Sequence, residues 1–268
     1  RVRGVSAAGN VSAPISHSWS IDLTVPTVML SQMPPALTNS TNATFAFSGT
    51  GIATYECSLD NGAFASCVSP RSLTGLAAGT HNFRVRGTSA AGNVSSVLAY
   101  SWMVDTAVPT VNLTQTPAAL GNSPVATFVF SGTSADRFEC SFNGATFAVC
   151  VSPANYPGLG SGSYAFSVRA ANLAGSVSSV ASFAWVVDVT PPTTPTMNSD
   201  ISNGIPRNST STFTFSSTDA SGIQRYECSL NSGAFTACSS PFGVANSQAQ
   251  NTLSIRSRDN AGNVSNAT

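Results

Sequence analysis

Six cysteines carry the most definite chemistry in this chain, and they fall into three pairs of one spacing. Cys57 and Cys67, Cys140 and Cys150, and Cys228 and Cys238 each enclose nine residues. The first pair lies in the run Tyr55-Glu56-Cys57-Ser58-Leu59-Asp60-Asn61-Gly62-Ala63-Phe64-Ala65-Ser66-Cys67-Val68-Ser69-Pro70, which returns in altered form around the other two. An alternating apolar/polar run that turns through Asp, Asn, Ser and Gly is a β-hairpin signal, with Asn61-Gly62, Asn143-Gly144 and Ser232-Gly233 supplying the positive φ of the turns. A three-residue loop of Asn61, Gly62 and Ala63 sets Cys57 directly across from Cys67, where a bridge needs little adjustment. We therefore expect the disulfides Cys57–Cys67, Cys140–Cys150 and Cys228–Cys238, each contributing roughly 2.8 kcal/mol by constraining the unfolded chain. Zinc fits poorly, because Cys-x9-Cys lacks the short ligand spacing and the two histidines, His17 and His81, do not recur. Paired cysteines in every copy point to an oxidising compartment: extracellular, at a cell surface or secreted.

Charged residues recur in the same frame. Glu56, Glu139 and Glu227 precede the first cysteine of each pair, and Arg86, Arg169 and Arg256 sit in alternating runs expected on the neighbouring strand. Facing each other on the outer side of a sheet, they predict exposed cross-strand ion pairs worth about 0.2–1 kcal/mol each. General acid catalysis needs a cleft and a second carboxylate beside such a pair, so no catalytic residue, cofactor or metal is expected and the chain is not read as an enzyme. Asp22, Asp105 and Asp188 precede proline-containing linkers. Calcium wants six to eight oxygens and usually several carboxylates, whereas one acid recurs at each junction; a strand-end aspartate capping a turn is the plainer reading. Trp19, Trp102 and Trp185 alternate with other apolar residues, which places them in cores rather than on sugar-stacking platforms.

The elements that position these residues follow from the period. Trp19, Trp102 and Trp185 stand 83 residues apart, as do Asp22, Asp105 and Asp188, and Arg3, Arg86 and Arg169. The third copy is longer before its hairpin, which puts its insertion in the loop from Ser217 to Gly222. Strand signals come about every ten residues, the spacing of a two-sheet sandwich. Thr27–Gln32 and Ala43–Gly49 read as the first two strands, Leu73–Leu76 as a short one, and Leu98–Val104 as the last; no helical periodicity is present. Pro-Thr linkers (Val25-Pro26-Thr27, Val108-Pro109-Thr110, Pro191-Pro192-Thr193) mark the junctions. The division expected is residues 1–24 as the final strands of a preceding repeat, then sandwiches over 25–107, 108–190 and 191–268, the last without its final strand.

Composition excludes several classes of partner. Only 8% of residues are charged, 11 arginines and no lysine face 11 acids, and the formal net charge is +0. Nucleic-acid binding needs a clustered basic face, so it is not expected. No apolar run is long enough to span a membrane and no signal peptide opens the chain, which reads as a soluble internal or matured fragment.

The run Y-E-C-S-L-D-N-G-A-F-A-S-C-V-S-P, followed by G-T-H-N-F-R-V-R, A-A-G-N-V-S and Y-S-W-M-V-D-T-A-V-P-T, resembles the immunoglobulin-like or fibronectin-type-III-like tandem repeats of large bacterial surface proteins, adhesins and fibres. The resemblance covers the whole chain. It implies an all-β fold of tandem immunoglobulin-like sandwiches and a structural or adhesive stalk without catalysis. The alternative is a glycan- or protein-binding module accessory to a larger secreted protein or enzyme. Expected partners are the neighbouring repeats, a surface protein or glycan, and other copies of the chain, with residues near His17–Leu23 of one molecule adding as a strand to the third repeat of the next.

Overall fold

The computed structural model describes residues 1–201, 206, 208–246 and 250–268, and among these every regular element is a β-strand. Two compact units divide the chain: Arg1–Ala107 with Leu173–Gly175, and Val108–Asn172 with Ser176–Thr268.

The first unit contains β1 (Thr27–Gln32), β2 (Leu37–Thr38), β3 (Ala43–Thr50), β4 (Thr54–Leu59), β5 (Ala65–Cys67), β6 (Arg71–Leu73), β7 (Gly79–Thr88) and β8 (Leu98–Val104). Two sheets result, one in the order β2-β8-β7-β4-β5 and one in the order β1-β3-β6. Alternation explains the burial: Ala43, Phe45 and Phe47 of β3 turn inward, as do Phe83 and Val85 of β7 and Trp102 and Val104 of β8. Phe45 is the hinge of this core, stacked on Phe83 at 4.1 Å between ring centroids and tilted against Trp102 at 5.2 Å. Aromatic pairs of this kind add to simple burial by about 0.5–1.5 kcal/mol. The short strand expected at Leu73–Leu76 lies earlier, at Arg71–Leu73. Gly75 has φ 67° and breaks the extension, and the Leu76 N–H turns to the Thr41 carbonyl. Strand β2 was not anticipated; it runs parallel to β8, with Leu37 beside Met103.

The second unit holds two more sheet pairs. Its first part comprises β9 (Asn112–Gln115), β10 (Leu120–Gly121), β11 (Val125–Ser131), β12 (Arg137–Phe142), β13 (Ala148–Cys150), β14 (Ala154–Pro157), β15 (Gly162–Ala171) and β16 (Ala181–Val187). The orders β10-β16-β15-β12-β13 and β14-β11-β9 reproduce the topology above. Phe128 stacks on Phe166 at 4.1 Å and meets Trp185 edge-on at 5.0 Å. Its second part comprises β17 (Thr196–Ser199), β18 (Thr210–Ser216), β19 (Ile223–Leu230), β20 (Thr236–Cys238), β21 (Phe242–Ala245) and β22 (Leu253–Asp259), in the orders β17-β18-β21 and β20-β19-β22. Among the described residues, its cluster of Phe213, Phe215, Cys228, Val244 and Ile255 is the smallest of the three.

Residues 1–24 contain only isolated bridges, Val2 to Ile15 and Val5 to Val11. Trp19 is 76% exposed, whereas Trp102 and Trp185 are buried. The expectation that Trp19 belongs to a core is therefore corrected: burying an indole takes two facing sheets, and this segment supplies neither.

Candidate functional site

The recurring hairpin brings cysteines and charged side chains together in all three copies, and its turn sets their register. In the first hairpin Asp60 and Asn61 take positive φ (50° and 61°), and the Gly62 N–H donates to the Leu59 carbonyl at 2.9 Å. The same two positions are Asn143-Gly144 and Asn231-Ser232 in the other copies. The two-residue turn thus begins one residue earlier than expected in the first and third hairpins. The side chain of the first turn residue explains the choice. Asp60 Oδ1, Asn143 Oδ1 and Asn231 Oδ1 each accept a backbone N–H from the adjacent strand, of Asn82, Ala165 and Thr252 respectively, all at 2.9 Å. A residue that makes this bond tolerates the left-handed conformation.

The shifted turn changes how the cysteines meet. Cys57 lies opposite Ala65, and Cys67 opposite Tyr55, so the half-cystines are diagonal rather than directly across. Their Cα atoms are nevertheless 5.7 Å apart, inside the range a bridge requires, and the Cys57–Cys67 disulfide closes. Cys140–Cys150 and Cys228–Cys238 repeat this geometry, each with Cα atoms 5.8 Å apart.

On the other face of each hairpin, register places Glu56 opposite Arg86, Glu139 opposite Arg169 and Glu227 opposite Arg256. In all three copies the arginine Nε donates to Oε2 at 2.8 Å. The pairs are less exposed than the alternation implied. Glu56 and Arg86 side chains each retain 34% exposure, but the Glu139 and Glu227 side chains only 13% and 8%. A second arginine accounts for the difference: Arg137 Nε reaches Glu139 Oε1 at 3.0 Å and Arg225 Nε reaches Glu227 Oε1 at 2.9 Å, where the first copy has Thr54. The Arg169 and Arg137 guanidinium groups hold the Glu139 carboxyl below the usual carboxylate range, against the opposing effect of burial.

A phenylalanine completes the arrangement. The guanidinium carbon of Arg86 lies 4.3 Å from the centroid of Phe64, that of Arg169 4.3 Å from Phe147, and that of Arg256 4.2 Å from Phe235. Each arginine is thereby clamped between a carboxylate and a ring. These phenylalanines carried no role in the sequence reading; their signal is recurrence at a fixed distance after each turn. The serine of each Ser-Pro pair was also missed. Ser69, Ser152 and Ser240 precede cis prolines, and their hydroxyls accept the N–H groups of Phe47, Phe130 and Phe215 at 2.8, 2.9 and 2.9 Å.

Strand-end aspartates act as turn caps: Asp22, Asp105 and Asp188 Oδ1 accept the N–H of Thr24, Ala107 and Thr190 at 2.9, 2.9 and 3.0 Å. An Ala-Gly-Asn loop then holds the linker backbone. Asn93 Nδ2 donates to the carbonyls of Asp22 and Thr24, and Asn263 Nδ2 to those of Asp188 and Thr190. His81 has no counterpart in the other copies. Its Nδ1 lies 2.8 Å from Asp60 Oδ2 and its Nε2 2.8 Å from the Ala77 carbonyl, and the Ala77 carbonyl first and Asp60 second raise its pKa against the pull of burial.

No protein-family model and no curated protein matches the chain. Among solved structures, it is similar to the fibronectin(III)-like modules of Clostridium thermocellum CbhA, at 18% identity and a TM-score of 0.43, covering 61% of this chain and 95% of that one. It is also similar to a 1.5-MDa bacterial ice-binding adhesin studied for host cell surface retention, at 16% identity and a TM-score of 0.37, covering 91% and 96%. A third is the chicken CNTN1 FN1–FN3 domains, at 13% identity and a TM-score of 0.33, covering 91% and 96%.

Proposed function

We propose that the chain is a structural or adhesive repeat segment of an extracellular bacterial surface protein, forming a rod-like stalk or fibre without catalysis. The observation that carries this reading is that the recurring hairpin chemistry is consumed internally. Each cysteine is paired in its own hairpin, each glutamate is bonded to arginine, and each of those arginines is stacked on a phenylalanine. Such groups brace a sandwich, and among the described residues none of these cysteines, glutamates or arginines is left as a free nucleophile or general acid. Disulfides in every copy support an extracellular location. Small-angle scattering tests the extended form: a single compact globule of this length has a radius of gyration of about 18 Å, and a stalk gives a value well above that. A glycan array on the same protein separates a stalk from a sugar-binding module, since the stalk reading expects no selective retention.

A further inference from the structure

We propose that Asp188, Asp219 and Asp259 together form a binding site for a hard divalent cation of the calcium class. The three belong to different elements of the second unit. Asp188 directly follows β16, Asp219 stands in the loop between β18 and β19, and Asp259 ends β22. One carboxylate oxygen of each lies within 4.8 Å of those of the other two, close enough for one cation to be shared. Asp188 and Asp259 are 6% and 0% exposed. Three carboxylates gathered this way repel one another, and burial makes each charge harder to leave uncompensated. Among the described residues, none of the ion pairs involves any of the three.

The hydrogen bonds show which oxygens are spoken for. Asp188 Oδ1 accepts from the Thr190 N–H and the Ser161 hydroxyl. Asp219 Oδ1 accepts from the Ser221 N–H and hydroxyl, and Asp259 Oδ1 from the N–H groups of Gly262 and Asn263. Asp259 Oδ2 takes one further bond, from Asn263 Nδ2. The second and separate observation is Asp188 Oδ2, which is fully enclosed and has no hydrogen-bond partner. The Ser221 hydroxyl also bears on the Asp188 carboxylate, but its bond goes to Asp219 at 2.7 Å. A buried carboxylate oxygen without a donor, on a group surrounded by other carboxylates, is the environment a hard cation satisfies. Asp188, Asp219, Ser161, Thr190 and Ser221 border a cleft of about 810 Å³, which leaves room for water to complete the six to eight oxygens calcium prefers.

Among the described residues the set occurs once. Counted from the phenylalanines of the strand before the loop (Phe47, Phe130 and Phe215), the earlier copies have Gly51 and Ser134 at the position of Asp219; counted from the Ala-Gly-Asn loop and its counterpart in the second copy, they have Ser89 and Asn172 at that of Asp259. The site stands apart from the stalk reading and holds whatever the segment carries.

Titration of the whole chain with calcium chloride after chelator treatment, followed by calorimetry and thermal melting, tests it. One saturable site is expected, with a rise in the transition of the second unit of at least about 5 °C that EDTA reverses. Asp219→Asn, in a partly exposed loop and with its fold checked by circular dichroism, weakens calcium binding by about tenfold or more. Asp22→Asn, at the corresponding first junction, leaves it unchanged. Absence of saturable binding by the unaltered chain overturns the proposal whatever the variants do. So does binding that is undiminished in Asp188→Asn/Asp219→Asn.

Discussion

Glu56 and Glu139 occupy one register position, yet Glu139 is held by two arginines and Glu56 by one. Replacing Glu139 with Gln removes a carboxylate that satisfies both Arg137 and Arg169 at a site with little access to water, and should destabilise the second unit by about 2 kcal/mol. Glu56→Gln acts on a pair a third exposed and should cost about 0.2–1 kcal/mol; urea titration of the two variants reads the contrast. Because the Glu139 pKa is lowered on folding, its contribution is complete above the unfolded glutamate value near ~4.3 and is lost as pH falls below it. The unaltered second unit should therefore lose more stability than Glu139→Gln between about pH 5 and pH 3. His81 has the opposite sign. Both ring nitrogens face oxygen acceptors, which favours the imidazolium, and the raised pKa gives stability that is full below about pH 6.5 and is lost as pH rises through the folded value. Melting of the unaltered chain at pH 5.5 and pH 8.5 should show this decline, and His81→Gln should remove it. The Glu–Arg pairing was legible because alternation and the repeat interval put both residues on one face. The second arginine and the phenylalanine were not, since contact among three side chains depends on how the sheet twists them together.

At the scale of the hairpin, local chemistry competes with dipeptide preference. Asn61-Gly62 and Ser232-Gly233 draw the eye to a turn at those residues, but Asp60 and Asn231 take the left-handed conformation because their side chains accept an N–H from the next strand. Asn143→Ala should therefore cost about 1–2 kcal/mol, combining an alanine at positive φ with loss of the bond to Ala165. Asn143→Asp, which keeps the acceptor, should cost markedly less; chemical denaturation of the two variants separates the effects. An equal loss in both would show that the acceptor plays no part. The disulfide closes in this diagonal register because the Cα separation of 5.7 Å falls within bridging range.

Across the molecule, the three indoles that share one interval do not share one environment. Trp102 and Trp185 sit between facing sheets, and Trp19 stands 76% exposed. Acrylamide should quench Trp19 efficiently, and Trp19→Phe should remove most of the quenchable emission while leaving the thermal transitions in place. Emission that stays quenchable to the same degree in Trp19→Phe would contradict the exposed placement. The proposed cation site belongs to this scale as well, since its three carboxylates come from positions 188, 219 and 259 and no local segment contains two of them.

What the sequence by itself determined was everything written in short-range pattern. Period-2 alternation specified an all-β chain, the cysteine interval specified three local disulfides, and the repeat interval specified which glutamate would face which arginine. Tertiary structure alone decided what depends on distant strands sharing space. It left Trp19 without sheets to cover it, added Arg137 to Glu139 and Arg225 to Glu227, and turned the inserted loop so that Asp219 meets Asp188 and Asp259. One acid per junction was all that could be read along the chain; the other two come from a loop and a strand end that only folding brings to that place.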